Sequence, residues 1–388
     1  MTDQRPLFSP DEFRRRVAAL QEAMARTGLD ALLVTTPPDV FYVTGFLTRF
    51  WESPTRPWFV IVPAAGDPVA VIPAIGRALM GRTWLDDIRC WDAPDPQDDG
   101  VSLLADALRE HVPERGRIGL PMGAETHLRM PLADHARLAG RLAPRAFVDA
   151  TGVVRHAREV KSPREIAAIR AACRVADGAF TRVPELAGEG RELSEVFRAF
   201  QIAQLEEGAD WVSYVAGGAG PGGYADVISP ADARPLRRGD VLMLDTGAVR
   251  DGYFCDLNRN FAIGRASEAT RRTHAALFSA TEATLAALRP GLRARDVHGL
   301  LAGGLRARGA VPGGGRLGHG LGVSLTEWPS FTPSDETELR EGMVLTLEPS
   351  AQVEPGRILV HEENVVLRAD GAELLSARTP PELPVIEA

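Results

Sequence analysis

Cysteine is scarce in this sequence. Its three copies, Cys90, Cys173 and Cys255, form no CxxC motif and no disulfide framework, which excludes a disulfide-stapled module. Positive charge is not in surplus either. Lys and Arg number 44 against 52 Asp and Glu, for a formal net charge of −8 and a pI near 5.6. A nucleic-acid binder carries a basic surplus or stripe, so none is expected as a partner. Long hydrophobic runs are missing. The longest uncharged apolar stretch, residues 57–66, is far short of the ~20 residues that span a bilayer, so no membrane is expected. The opening MTDQRPLFSPDEFRRR lacks the apolar core of a signal peptide. Neither glycine cluster, 217–223 or 313–315, has GxGxxG or P-loop spacing after a strand, so phosphate cradles are discounted. There is no repeat and no low-complexity tract. What is present is 388 residues, 45% apolar and 25% charged, which is an ordinary globular balance. At a loose ~150 residues per domain, that suggests two domains. The expectation is a cytoplasmic enzyme.

The first half alternates helix and strand. Ser9-Pro10-Asp11-Glu12 reads as a capping box with proline at the first helical position. Phe13, Val17, Leu20 and Met24 then share a face, and the helix stops near Gly28. Ala31 to Val34 reads as a buried strand. Residues 58–62 and 69–72 flank a turn and read as a hairpin. A helix over about 101–111 and a strand over about 118–120 complete an α/β layer. A second box, Ser162-Pro163-Arg164-Glu165, opens a helix striped with Ile166, Ile169, Cys173 and Ala176. Beyond it, long helices (about 267–288 and 294–308) alternate with antiparallel hairpins. The boundary is placed at residue 157. Residues 1–157 form a smaller α/β domain and 158–388 an α+β domain.

The chemistry concentrates in residues 241–263. Two apolar runs flank Asp251-Gly252, a residue pair preferred in two-residue type I′ turns. With Arg250 paired to Tyr253, Asp245 faces Asn258 and Gly247 faces Asp256. Side chains alternate along a strand, so Asp245 and Asp256 point the same way from neighbouring strands. Gly247 leaves room beside Asp256. Buried carboxylates need compensation, by a shared proton or by a metal. Three further segments supply similar groups. His319 sits among glycines in 317–323, where close backbone approach is easy. Glu348 lies at an apolar strand over 343–347, and Glu362 and Glu363 lie at the mouth of another. One imidazole and several carboxylates suit Mn, Co, Zn or Fe.

In this order the motifs resemble the pita-bread metallohydrolases: prolidase, aminopeptidase P, methionine aminopeptidase and creatinase. The Asp-x10-Asp hairpin, the His-Gly-x-Gly segment, the Glu-Pro and the Glu-Glu-Asn all recur. Residues 9–75 resemble the creatinase/prolidase N-terminal domain, which ranks methionine aminopeptidase lower. The resemblance implies a pita-bread catalytic domain and two divalent ions, manganese foremost. Asp245 would chelate one ion and Asp256 bridge both. His319 and Glu348 would each bind one, and Glu362 would bridge. Glu363 takes that last role if the register slips by one. A hydroxide between the ions would be the attacking group. The resemblance also implies a homodimer.

The surrounding shell departs from the pattern. The histidine usually found seven residues after the metal histidine is Thr326, followed by Glu327-Trp328-Pro329. The upstream histidine, expected near residue 228, is missing from 225–230. The arginine often two residues before the last glutamate is Val360. Asp226, Thr326, Trp328 and His361 are therefore the candidate substrate-binding residues. Glu348 and Glu327 are the candidate catalytic carboxylates, and Asn258 supports the site from behind. Each shell residue also has a structural role open to it: Trp328 packing, Thr326 in a strand, Asp226 capping a loop. The reading is a metal-dependent Xaa-Pro peptidase that cleaves before proline in dipeptides or short peptides. Its rival is a metal-using enzyme of the same fold acting on a small non-peptide by C–N hydrolysis or lyase chemistry, as in ectoine hydrolase. A non-catalytic binding module is the third reading.

Overall fold

Proline at the first helical position begins two long helices, Pro10–Thr27 and Pro163–Thr181. The computed structural model describes residues 8–53 and 56–387. One unit ends at Arg158 and the other begins at Glu159.

The first unit is built on a six-stranded sheet. From edge to edge its strands are Ile88–Trp91, Val69–Pro73, Phe59–Pro63, Ala31–Val34, Arg117–Leu120 and Ala146–Asp149. Phe59–Pro63 pairs antiparallel with both of its neighbours, and the other three pairings are parallel. Leu33, Ile61, Val71, Leu104, Leu108 and Leu138 form a fully buried core between this sheet and its helices. The first helix ends as expected, with Gly28 at φ +66°. Its start differs from expectation. The Ser9 side chain makes no cap bond, and the Glu12 amide is held by the Ser9 carbonyl at 3.0 Å instead. Glu12 is buried and pairs with Arg15 and, at 3.6 Å, with Arg16. The second box does close. Ser162 Oγ accepts from the Glu165 amide at 3.3 Å, and Glu165 Oε2 accepts from the Ser162 amide at 2.9 Å.

The second unit carries two five-stranded sheets and one three-stranded sheet, covered by helices that include Pro163–Thr181, Glu268–Ala287 and Ala294–Arg306. In one large sheet, Asp240–Arg250 lies between Trp211–Pro221 and Leu257–Ile263. In the other, Gly318–Gly320 and Glu363–Arg368 flank Val344–Leu347. This is the α+β architecture expected of the pita-bread fold. Among the described residues, no helix is long and apolar enough to cross a membrane.

Candidate metal centre

The hairpin forms in the expected register. Arg250 pairs with Tyr253 and Asp245 with Asn258. Asp251 at φ +53° and Gly252 at φ +80° supply the two positive φ angles of a type I′ turn. The ladder then lapses between Phe254 and Leu257. Gly247 consequently does not make room for Asp256. A Cβ on Gly247 would fall 2.7 Å from the Tyr214 ring, so the missing side chain admits a tyrosine. The Tyr214 hydroxyl stands 2.8 Å from Asp245 Oδ1 and 2.7 Å from Asp256 Oδ1. Asp256 is held from behind by Asn364. Asn364 Oδ1 accepts from the Asp256 amide at 3.0 Å, and Asn364 Nδ2 donates to the Asp256 carbonyl at 2.8 Å.

The second sheet brings the remaining groups. Gly318 and Gly320 let strand backbones close on both sides of His319. A Cβ would stand 2.3 Å from the Thr346 carbonyl at the first and 2.1 Å from the Trp328 carbonyl at the second. His319 Nδ1 lies 2.8 Å from the Gly320 carbonyl. A carbonyl only accepts, so this nitrogen carries the proton and Nε2 faces the acids. Nε2 lies 3.2 Å from Asp256 Oδ2 and 3.7 Å from Glu348 Oε2. Two overlapping triads result, Asp256–His319–Glu348 and Asp245–Asp256–Glu362, each with its ligand atoms within 4.8 Å of one another. Asp256 belongs to both.

Burial without a cation makes this cluster costly. Desolvation, followed by the charge of Asp256, pushes Asp245 far above the usual carboxylate range. Desolvation, then Asp245, does the same to Glu362. Desolvation raises Glu348 as well. Burial disfavours a charged His319, but its hydrogen bond to Asp256 and the nearby acids outweigh that and raise it. Several polar atoms are orphaned. Glu362 Oε2 and both amide atoms of Asn258 are buried without a hydrogen-bond partner among the described residues. Four carboxylates, a lone-pair nitrogen and unpaired oxygens around one cavity fit divalent cations. Glu363 stands apart from them. Burial alone would raise it, but Arg259, Arg378 and the Thr379 amide hold it below the usual range. Its oxygens are already engaged, whereas Glu362 faces the cavity.

The cavity measures about 730 Å³. Asp245, Asp256, Asn258, His319, Thr326, Glu348 and Glu362 line it, with Val215, Val227, Ile228, Ile358 and Val360 forming apolar wall. The other candidate shell residues go elsewhere. Asp226 caps its own loop, accepting from the amides of Ile228 at 3.1 Å and Ser229 at 2.9 Å. His361 is buried against His274, ring nitrogen to ring nitrogen at 3.1 Å. Burial, with His274 and Arg378 beside it, holds His361 well below the usual imidazole range. Trp328 lies outside the cavity lining. So does Glu327, which is buried 3.0 Å from the ammonium of Lys161 and accepts from the Ser324 amide at 3.1 Å.

Three residues at the site were not singled out from the sequence: Tyr214, Arg316, and Asn364, which entered only as the last residue of the Glu-Glu-Asn motif. Arg316 lines the cavity, its Nε 3.0 Å from Glu348 Oε1 and its Nη2 3.3 Å from Thr326 Oγ1. Its place three residues before His319 was the available signal.

Two sheets that converge acids and one imidazole on a single open cavity define a metal-dependent hydrolase. The chain belongs to metallopeptidase family M24: residues 167–369 match that family and residues 16–160 match the creatinase/prolidase N-terminal domain. It is 30% identical to a probable dipeptidase, PepE, of Mycobacterium tuberculosis, over 98% of each chain. It is 24% identical to a Xaa-Pro dipeptidase of Pyrococcus horikoshii, over 94% of this chain and 98% of that one. The crystal structure of dipeptidase PepE from Mycobacterium ulcerans superposes with a TM-score of 0.84 at 30% identity, covering 98% and 99% of the two chains. Members of this family use divalent metals, and the acidic clustering is of the kind such ions need.

Proposed function

We propose that the protein hydrolyses the bond before proline in dipeptides or short peptides, with two divalent ions, manganese foremost. The observation that carries this reading is the pair of ligand triads sharing Asp256 at the wall of one cavity. Asp245 and Glu362 would hold one ion with Asp256, and His319 and Glu348 the other. By the family resemblance, Glu362 would bridge both. Bound by these residues, divalent ions would supply Lewis acidity toward the scissile carbonyl and a water activated at neutral pH.

The chain's own groups do the rest. The Tyr214 hydroxyl fixes Asp245 and Asp256 at one separation. Glu348 would take the proton of the attacking water and return it to the departing nitrogen as the C–N bond breaks. Its Oε1 is anchored by Arg316, which keeps Oε2 turned to the cavity. Val215, Val227, Ile358 and Val360 offer apolar wall for a pyrrolidine ring. Three unpaired cysteines suit a reducing compartment, and we place the protein in the cytoplasm as a homodimer, a state that sedimentation velocity measures directly.

The test is a panel of Xaa-Pro dipeptides and Xaa-Pro-Yaa tripeptides, assayed on protein stripped by chelation and reloaded with manganese. Asp245→Ala is the blank. Metal-dependent turnover absent from the blank is expected. Stoichiometric manganese with no turnover on any peptide would defeat the peptidase reading and favour a small non-peptide substrate.

A further inference from the structure

We infer that Arg259 is a positioning residue: it ties the main chain of Glu362 to the hairpin and so holds together the Asp245–Asp256–Glu362 triad. The inference rests on the two-ion reading above. Asp245 and Asp256 come from one hairpin, but Glu362 reaches that triad from outside it. The sheet ladders do not fix this third ligand. Pairing runs to Val360 on one side and resumes at Glu363 on the other, which leaves Glu362 between strands. A carboxylate at such a break keeps its place only if its main chain is secured from elsewhere.

Arg259 supplies the tie. It follows Asn258, the residue that pairs with Asp245 across the hairpin. Its Nη1 donates to the carbonyls of both Asn258 and Glu362, each at 2.7 Å. One nitrogen thus sets the distance between the strand opposite Asp245 and the main chain of Glu362. Nη2 donates to Glu363 Oε2 at 3.2 Å and to the Ala377 carbonyl at 2.6 Å. All the hydrogens of both Nη groups are used. A guanidinium this deeply buried persists only with such partners and a balancing charge. Glu363, whose side chain is fully enclosed, supplies that charge, and Asp177 adds a second carboxylate at 4.0 Å. The acid that turns away from the cavity therefore keeps Arg259 seated. The two triads depend unequally on the tie. With Glu362 displaced, the Asp245 triad keeps two ligands, whereas Asp256, His319 and Glu348 remain a complete set.

The experiment titrates manganese calorimetrically into chelator-stripped wild type, Arg259→Lys, Arg259→Met and Glu363→Gln. Asp245→Ala identifies which binding step belongs to the Asp245 triad, and elemental analysis after dialysis counts the ions. Lysine keeps the charge beside Glu363, but its donors radiate from one point and cannot span both carbonyls and the cluster. In Arg259→Lys the Asp245 step is expected to weaken about tenfold or more, and the other step by less than about threefold, on the scale of lost ligand-orienting groups. Electron paramagnetic resonance at two manganese per chain should show an exchange-coupled pair in wild type and mostly single ions in Arg259→Lys. Arg259→Met should weaken the same step at least as far; if it does not fold, the lysine variant decides. Glu363→Gln keeps the Nη1 bonds, so it should lower the melting temperature and leave the ratio of the two steps as in wild type. Equal weakening of both steps in Arg259→Lys, in proportion to lost stability, overturns the inference, as does an unchanged titration. Wild type that binds no ion, or a single ion that Asp245→Ala leaves in place, defeats the two-ion reading and the inference together. A single ion that Asp245→Ala removes defeats only the two-ion reading, and its affinity in Arg259→Lys then decides the role of Arg259.

Discussion

The side-chain amide of Asn364 grips the backbone of Asp256 on both sides, accepting from its N–H at 3.0 Å and donating to its C=O at 2.8 Å. Asp256 sits where the hairpin ladder has lapsed, so no ladder bond holds its backbone. Asn364 therefore replaces the missing ladder bonds for the one acid common to both triads. Asn364→Ala is expected to lower thermal stability by about 1–3 kcal/mol, since it leaves two buried backbone groups unpaired. Manganese affinity should fall about tenfold or more with it, as when partners that orient ligands are removed. Asn364→Asp keeps the acceptor and loses the donor, so it should fall between the two. Denaturant melts and metal titrations read both effects.

Loss of Asp256 should differ in kind from loss of its neighbours. Asp256→Ala breaks both triads, so metal content should drop to none, along with activity. Asp245→Ala and His319→Ala each break one, and each should retain up to one ion per chain. Elemental analysis after dialysis distinguishes the cases. Asp256→Ala protein that keeps its full metal load would count against a shared ligand.

Metal binding should depend on pH with a definite sign. Without ions, burial raises Asp245, Glu348 and Glu362, and His319 is raised as well. Protons must leave as ions enter, so apparent manganese affinity increases with pH and is lost as pH falls through those raised values. The Tyr214 hydrogen bond opposes the rise at Asp245. Tyr214→Phe should therefore shift the binding midpoint to higher pH. Calorimetry in buffers of different ionisation heat should show proton release at pH 7. The same raised acids stabilise the metal-free fold only when protonated, a contribution lost as pH rises.

Glu327 should behave as a structural acid. Its partner Lys161 is the one lysine in the sequence, and both side chains are almost fully buried. Lys161→Met leaves a buried carboxylate without that partner and should destabilise by about 3–5 kcal/mol. The double variant Lys161→Met/Glu327→Leu should recover much of that. If Glu327 instead moves protons in the reaction, Glu327→Gln would lower kcat far more than it lowers the melting temperature.

The hairpin was readable because its turn residues and its two-residue period agree. Asp251-Gly252 fixes the register, and the register places Asp245 opposite Asn258. Tyr214 was not readable, because the pairing of its strand shifts between Val212 and Val215. Such a bulge re-aims side chains in a way that alternation does not anticipate. The four acids and the imidazole announced themselves as charged groups in apolar runs. The substrate shell had no such contrast. Asp226, Glu327 and His361 are polar residues that found partners in a loop, a lysine and a second histidine. Only partner geometry separates those roles. The Ser9 pattern obeys the same local rule as Ser162, yet its side chain makes no cap bond.

The sealed ammonium of Lys161 has a practical consequence. Amine-acylating reagents find no lysine side chain to modify while the fold is closed. Any acylation of that residue must wait for the segment before Ser162 to open. The rate of labelling at Lys161 is then a clock on local opening beside the capped helix, readable by peptide mass alone and free of competing lysines.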